Sequence, residues 1–284
     1  MKKPTGISVK SAFGRLLLRI LLLTILVIMV YPLLWNIINS LKTNEEYLAN
    51  PYALPQTLQW DNYVRALEGS NLFGTVLNSV YVVIVSTALR MVCAVPCAYA
   101  LSRYRFFGSR LLMGLLMAGL FVSANYIIVP LFLELNALHL LNNLTVLSAI
   151  YATFGLPFSV FLLSSFMREI PMEYEEAAYL DGSSTFGILR HVVIPMSRST
   201  ILTVAMISVL AAWSEYAVAL VVVMDPAKQT FPVGLANLYA VQSYATDWGA
   251  LFAGLTVAMI PTLVLFTIGE KYAVKGMSIG GLKG

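Results

Sequence analysis

Apolar residues in this chain come in long blocks separated by short polar segments. Ile20 to Leu41 contains no Asp, Glu, Lys or Arg, and neither do Leu111 to Leu133, Leu135 to Met167 and Trp248 to Gly269. Gly74 to Leu101 contains one charge, Arg90, and Thr200 to Met224 contains one, Glu215. A helix needs about 20 apolar residues to cross a bilayer, so the blocks predict six transmembrane helices. Span one covers Arg15 to Leu41, span three ends near Pro130, span four starts near Leu144, and span five runs unbroken to Met224. Pro32, Pro96, Pro157 and Pro261 fall inside spans, where they kink a helix whose freed carbonyls neighbours re-satisfy. The polar stretch Lys42 to Leu72 holds Pro51, Pro55, Trp60 and Tyr63 and is expected to be partly ordered against the membrane face.

Composition agrees. The chain has 284 residues, 59% hydrophobic and 11% charged, against about 25% charged in a typical soluble domain. The fold class is therefore an all-α integral membrane protein of six transmembrane helices, with a short cytoplasmic helix between spans four and five. Residues 1–14 are read as a cytoplasmic arm, 15–270 as the transmembrane domain with a cytoplasmic loop at 167–199, and 271–284 as a basic cytoplasmic tail. The first span is too long for a cleaved signal peptide and lacks a small-residue cleavage site after it.

Of the 18 Lys and Arg residues, 14 fall on the side that holds both termini, three (Lys42, Arg65 and Lys228) on the other, and Arg90 inside a span. Positive charge collects on the cytoplasmic side, so both termini are expected in the cytoplasm. The pI of about 9.0 is thus a topology signal and carries no implication of nucleic acid. Cys93 and Cys97 share a helix face with no His nearby, and are read as small packing groups. There is no GxxxxGK[ST] sequence, so the chain has no P-loop of its own. It also has no HExxH or GxSxG and no His/Cys cluster, and it is not expected to be an enzyme or to bind a metal or cofactor.

The cytoplasmic loop is the most informative segment. In "EIPMEYEEAAYLDGSSTFGILRHVVIP", Pro171 suits a first helical turn, and Glu173, Glu175 and Glu176 sit where the helix dipole favours negative charge. Ala177 and Ala178 favour helix and leave a surface open to close approach. Gly182 is placed for a left-handed stop, after which Ser183, Ser184 or Thr185 caps a second short helix. On these grounds a solvated connector and a docking element both remain open.

Glu176-Ala177-Ala178, three residues, Gly182, nine residues, Val192, one residue and Ile194-Pro195 resembles the EAA motif of ABC importer permeases. Asp181 before the glycine also fits. The likeness extends over nearly the whole chain and resembles the carbohydrate, maltose-permease-like branch. "PLLWNIINSLK", "WDNYVRAL", "AYALSRYRF" and the tail "VKGMSIGGLKG" carry it, as does "WSEY", where Ser214 replaces the usual Asn. The resemblance implies a permease that translocates a sugar or oligosaccharide. It implies a second permease subunit as heterodimer partner, two cytoplasmic ATP-binding subunits that hold ATP and Mg, and an extracellular solute-binding protein. The coupling contact is then expected at Glu175, Glu176, Ala177, Ala178, Asp181 and Gly182.

Arg90 and Glu215 are costly in a bilayer, about 2.5–3.5 kcal/mol each on insertion scales, so each needs a partner or a cavity. Two readings stand: a structural ion pair, within this chain or with the second permease, and a translocation pathway lined by Trp213, Glu215, Tyr216 and Arg90. An ion-coupled secondary transporter is the alternative function. That class usually shows repeated halves and titrating intramembrane acids; only Glu215 qualifies here.

Overall fold

The structure is a computed structural model that describes residues 9–68, 71–241 and 247–280. Regular structure among the described residues is helical throughout. In chain order the helices are α1 (Val9–Ser40), α2 (Asn44–Ala49), α3 (Asp61–Glu68), α4 (Leu72–Arg103), α5 (Ser109–Gly119), α6 (Ala124–Ala137), α7 (Leu144–Glu169), α8 (Glu173–Leu180), α9 (Thr185–Ile188), α10 (Ile194–Met196), α11 (Arg198–Ser214), α12 (Ala217–Val222), α13 (Phe231–Val241) and α14 (Trp248–Gly280). A π-helical turn, Leu189–Val193, joins α9 to α10. Among the described residues, three stretches are unbroken helices long and apolar enough to cross a membrane: Leu16–Ser40, Leu72–Arg103 and Leu144–Glu169. Two more are bent pairs. Ser109–Gly119 and Ala124–Ala137 turn by 100°, and Thr185–Met196 and Arg198–Ser214 by 79°. The expected sixth span falls in α14, whose Trp248–Pro261 part is apolar.

The structure corrects two element boundaries. Span three is not one straight helix ending near Pro130; Pro130 lies inside α6, which continues to Ala137. Span five does not run unbroken to Met224, because Glu215 and Tyr216 leave helical geometry between α11 and α12. At the ends, α1 begins at Val9 and α14 runs to Gly280, so helix occupies part of both the expected arm and the expected tail. Residues 1–8 and 281–284 of those segments lie outside the described residues.

The chain forms two compact units. The smaller comprises residues 1–67 and 241–257. Its polar centre is Asn62, whose Nδ2 donates to Ser40 O at 2.7 Å and Lys42 O at 2.8 Å. These carbonyls end α1, and the amide supplies the donors that a helix C-terminus lacks. A Cβ on Gly249 would come within 2.5 Å of that amide, so only glycine permits α14 to approach there. Lys42 Nζ donates to the carbonyls of Asn50 and Pro51, and the rings of Trp35, Tyr47, Trp248 and Phe252 pack at centroid distances of 5.0–6.4 Å. The polar stretch after Lys42 is thus ordered, held by one amide and one aromatic cluster. None of the most apolar window of α1 is buried within the chain, so lipid or another subunit must cover it.

The larger unit comprises residues 68–240 and 258–284. Here α4 packs along α7 and α11 around a core that includes Ala94, Ala98, Tyr99, Val160, Leu163, Met167 and Val204. Small residues on α4 let the helices approach closely, the usual basis of packing between membrane helices. The turn after α6 is tied to the turn after α12 by Asn142, whose Oδ1 accepts from the backbone N–H groups of Met224 at 2.7 Å and Asp225 at 2.8 Å.

One ion pair in the smaller unit is sensitive to pH. Arg65 Nε donates to Asp247 Oδ2 at 2.8 Å, and Arg65 Nη1 to Asp61 at 2.6 Å. Burial pushes the Asp247 carboxyl up, but the hydrogen bond and charge of Arg65, with the amides of Ala250 and Gly249, outweigh it and hold the carboxyl below the usual carboxylate range. A depressed carboxyl pKa stabilises the fold above its unfolded value, and that contribution is lost as pH falls through the folded value. Because Arg65 is 45% exposed, the pair contributes no more than about 1 kcal/mol. Asp247→Asn is expected to lower the unfolding midpoint at neutral pH, with the difference disappearing as pH falls below the ordinary carboxylate range. Thermal unfolding across pH checks this.

Candidate functional site

Local sequence builds the loop after α7 as a rigid bracket. Three glutamates in the first turn favour α8 electrostatically, and Ala177 and Ala178 favour it conformationally. Pro171 lies just ahead of the helix. The stop is a Schellman motif: Ser183 N–H donates to Ala178 O and Gly182 N–H to Tyr179 O, both at 3.0 Å. Gly182 has φ +81°, a left-handed conformation that glycine adopts without penalty. Ser184 then caps α9, its Oγ accepting from Gly187 N–H at 3.2 Å.

The bracket is anchored rather than free in solvent. Ile170, Ile188, Leu189 and Val193 join the core between α4 and α7. Glu175 is buried: Arg103 Nε donates to its Oε1 at 2.7 Å, and Tyr99 OH donates to its Oε2 at 2.9 Å. Arg103 also donates from Nη2 to Ile170 O at 2.8 Å. Both side chains are under a tenth exposed. Glu175 therefore points inward and ties α8 to the end of α4, whereas Glu176, Ala177, Asp181 and Gly182 are exposed and Ala178 is half-buried. Beside them stand Tyr174, Tyr179, Leu180 and Phe186, which are 55–86% exposed. A groove of about 390 Å³ runs between α8 and α4, lined by Tyr99, Tyr104, Glu175, Glu176, Tyr179, Leu180 and Ile188. The sequence reading singled out the alanines and missed this apolar ridge. Its signal was there, in large apolar residues within the most charged loop of the chain.

The intramembrane charges meet through a residue the sequence reading passed over. Arg90 and Glu215 form no ion pair with each other. Arg90 Nη2 donates to the backbone carbonyl of Tyr151, and Tyr151 OH donates to Glu215 Oε2. Arg90 is 6% exposed, and its guanidinium occupies the place where a side chain on Gly155 would stand. It also lines a pocket of about 200 Å³ with Cys93, Ala152 and Thr153. Glu215 sits at the break after α11. Its Oε1 accepts from Val218 N–H at 2.8 Å and its Oε2 from Ala219 N–H at 3.1 Å, so the carboxylate replaces the carbonyls that the broken helix cannot supply to α12. Trp213 is buried and stacks on Phe231 at 5.8 Å; Tyr216 is 41% exposed. The expected pathway group is thus divided, with Trp213 facing the core and Tyr216 facing out. Among the described residues no group of three metal-ligating side chains occurs.

Removing one partner of a buried pair leaves an uncompensated charge, a loss of about 3–5 kcal/mol. Arg103→Leu is therefore expected to lower the unfolding temperature of the detergent-purified protein sharply. The double variant Arg103→Leu/Glu175→Leu, which removes both charges, recovers most of it. Equal loss in single and double variants would show that the charges contribute little.

Comparison with known proteins places the chain. The family described as "Binding-protein-dependent transport system inner membrane component" matches residues 4–279. A diacetylchitobiose uptake system permease protein of Streptomyces coelicolor is 34% identical over 89% of this chain and 84% of its own length. A sulfoquinovosyl glycerol transport system permease protein of Agrobacterium fabrum is 33% identical over 99% and 98%. A trehalose transport system permease protein of Mycobacterium tuberculosis is 32% identical over 89% and 92%. The fold is shared with a solved bacterial ABC transporter involved in the import of the acidic polysaccharide alginate. The TM-score is 0.83 at 20% identity, over 95% of this chain and 99% of that one. This family comprises transport components of the cell membrane rather than enzymes. With nearly its full length matched, this chain belongs to the inner membrane components of binding-protein-dependent transport systems.

Proposed function

We propose that this chain is the permease subunit of an ATP-driven importer that carries a sugar or oligosaccharide into the cytoplasm, and that a separate ATPase drives it through the α8 bracket. The observation that carries the coupling role is the division of α8 into two faces. Glu175 is consumed internally on one face, while Glu176, Ala177, Asp181 and Gly182 stand on the other beside Tyr179 and Leu180. A rigid, anchored helix with an exposed apolar ridge suits docking into a cleft. The carbohydrate assignment is supported by relatives whose names specify diacetylchitobiose, sulfoquinovosyl glycerol and trehalose.

In this reading there are six spans, both termini are cytoplasmic, and α8 lies on the cytoplasmic side. A second permease, two ATP-binding subunits and an external solute-binding protein complete the assembly. ATP and Mg reside on the ATPase. ATP-driven closure of the ATPase dimer displaces α8 and swings the attached spans from inward-facing to outward-facing. No specific observation favours an ion-driven alternative.

Glu176→Lys and Gly182→Asp are each expected to uncouple ATP hydrolysis from uptake or to release the ATPase, while the membrane subunit stays folded. Uptake and ATPase assays on the reconstituted complex measure this, and normal coupling in both variants would overturn the role of the loop. In the pathway, Glu215→Gln exchanges an acceptor oxygen for a donor amide. It cannot accept from Val218, Ala219 and Tyr151 together, and one charge-assisted hydrogen bond, about 1.5–3 kcal/mol, is lost. Uptake and basal ATPase activity are expected to change together; if neither moves, Glu215 has no part in translocation.

A further inference from the structure

Below α8, the turn between α4 and α5 forms a cavity of about 920 Å³. Its wall carries Arg105, Arg110 and Arg168, and no Asp or Glu lines it. All three of these arginines are exposed, and among the described residues none forms an ion pair. Arg168 is steadied by a bond from Nη2 to Leu101 O at 3.4 Å. The fourth arginine of the wall, Arg103, is already neutralised by Glu175. The acid-free basic wall is therefore a distinct feature from the coupling bracket.

The neighbourhood of these charges determines what they suit. Phe107 is fully exposed at the tip of the turn, and Leu111, one helical turn on, is 68% exposed. Gly108, with φ +85°, reverses the chain so that Phe107 and the start of α5 project together. Both α4 and α5 belong to stretches apolar enough to lie in a membrane. Guanidinium groups thus sit beside bare aromatic and aliphatic surface at the end of an apolar helix, the two kinds of surface that a phospholipid's phosphate and acyl chain require. An acidic protein segment would match the arginines but would leave the exposed Phe107 and Leu111 uncovered. Basic pockets at the cytoplasmic ends of membrane helices bind anionic headgroups by this arrangement, and arginine binds phosphate oxygens bidentately.

From these contacts we infer that this cavity is a binding site for an anionic phospholipid, with Arg105, Arg110 and Arg168 on the phosphate and Phe107 against the acyl chain. Its assignment to the cytoplasmic leaflet rests on the topology proposed above. Lipid occupancy there braces the end of α4 to which α8 is tied.

The test uses the intact transporter complex, purified in detergent and observed by native mass spectrometry with phosphatidylglycerol or phosphatidylcholine of the same acyl chains. The wild type is expected to retain phosphatidylglycerol preferentially. The triple variant Arg105→Gln/Arg110→Gln/Arg168→Gln is expected to lose about a hundredfold in that retention while phosphatidylcholine binding is unchanged. Should the triple variant fail to assemble, Arg105→Gln and Arg110→Gln alone are each expected to lower it by a smaller factor. Phe107→Ser is expected to weaken both lipids. Equal retention of the two lipids by wild type, or unchanged retention in the variants, overturns the site. Displacement of the lipid by sn-glycerol 1-phosphate would mark a soluble phosphate site and overturn it too. So would loss of the ATPase subunit from the triple variant with lipid retention intact, which would make the arginines a protein contact. Impermeant thiol labelling of Ser183→Cys from each side of the membrane reports the leaflet separately, so an error in topology is distinguishable from the absence of a lipid site.

Discussion

The buried pair of Glu175 and Arg103 decides what the α8 end of the molecule can do. Neither ion is solvated, so each depends on the other and on Tyr99 OH for its lost hydration. The geometry meets that need: one short guanidinium bond, one phenol bond, and a second guanidinium bond to the carbonyl of Ile170. Arg103 thereby links the end of α4, the end of α7 and the first turn of α8. Without this link the loop would be held by apolar contacts alone, chiefly those of Ile170, Ile188, Leu189 and Val193.

A second constraint, the satisfaction of backbone groups inside a bilayer, explains where polar residues appear in the spans. A helix end exposes backbone groups, and acid or amide side chains stand at three of these ends. Glu215 takes the free amides at the start of α12. Asn143 Oδ1 does the same for Thr145 and Val146 at the start of α7, and Asn62 serves the end of α1. A lone intramembrane charge read from sequence invites a transport role. In this fold Glu215 first has a structural duty, and any pathway role operates on a group already fixed at three points.

Legibility followed the range of the interactions. The apolar blocks and the glycine stop at Gly182 are local signals, and the structure contains helices over those blocks and a left-handed residue at that stop. The motif around Glu176 and Gly182 identified the family because its spacing is set by one rigid bracket. What was not legible depends on contacts between residues far apart in sequence. Three glutamates within four residues look alike as text, and only the rotation of α8 against α4 decides that Glu175 turns inward while Glu176 turns out. Tyr151 gave no sign of its position between Arg90 and Glu215, since a tyrosine in an apolar block reads as packing. The break at Glu215 was missed for the same reason: apolar residues continue on both sides of it, and the cause is a side chain replacing a carbonyl.

These contacts also bear on how a push at the bracket would reach the membrane. Helix α8 is tied by Glu175 to the last turn of α4, and α4 carries Arg90 at a depth where it grips the backbone of α7 at Tyr151. The same tyrosine reaches Glu215 at the joint between α11 and α12. Displacing α8 relative to α4 would unpair a buried charge, so the low-energy response is for α4 to follow. The guanidinium of Arg90 fills the space opposite Gly155, so α4 cannot move without moving α7 or leaving Arg90 unsatisfied. Penalties against partial motion are what make a packed helix group move as a body rather than deform. Contact alone does not establish coupling; the physical content is that each joint is a buried polar bond, costly to break singly. If α8 is the docking helix, as proposed, a permease without an ATP site needs stiffness of this kind between that helix and its spans, and two arginines on α4 supply it.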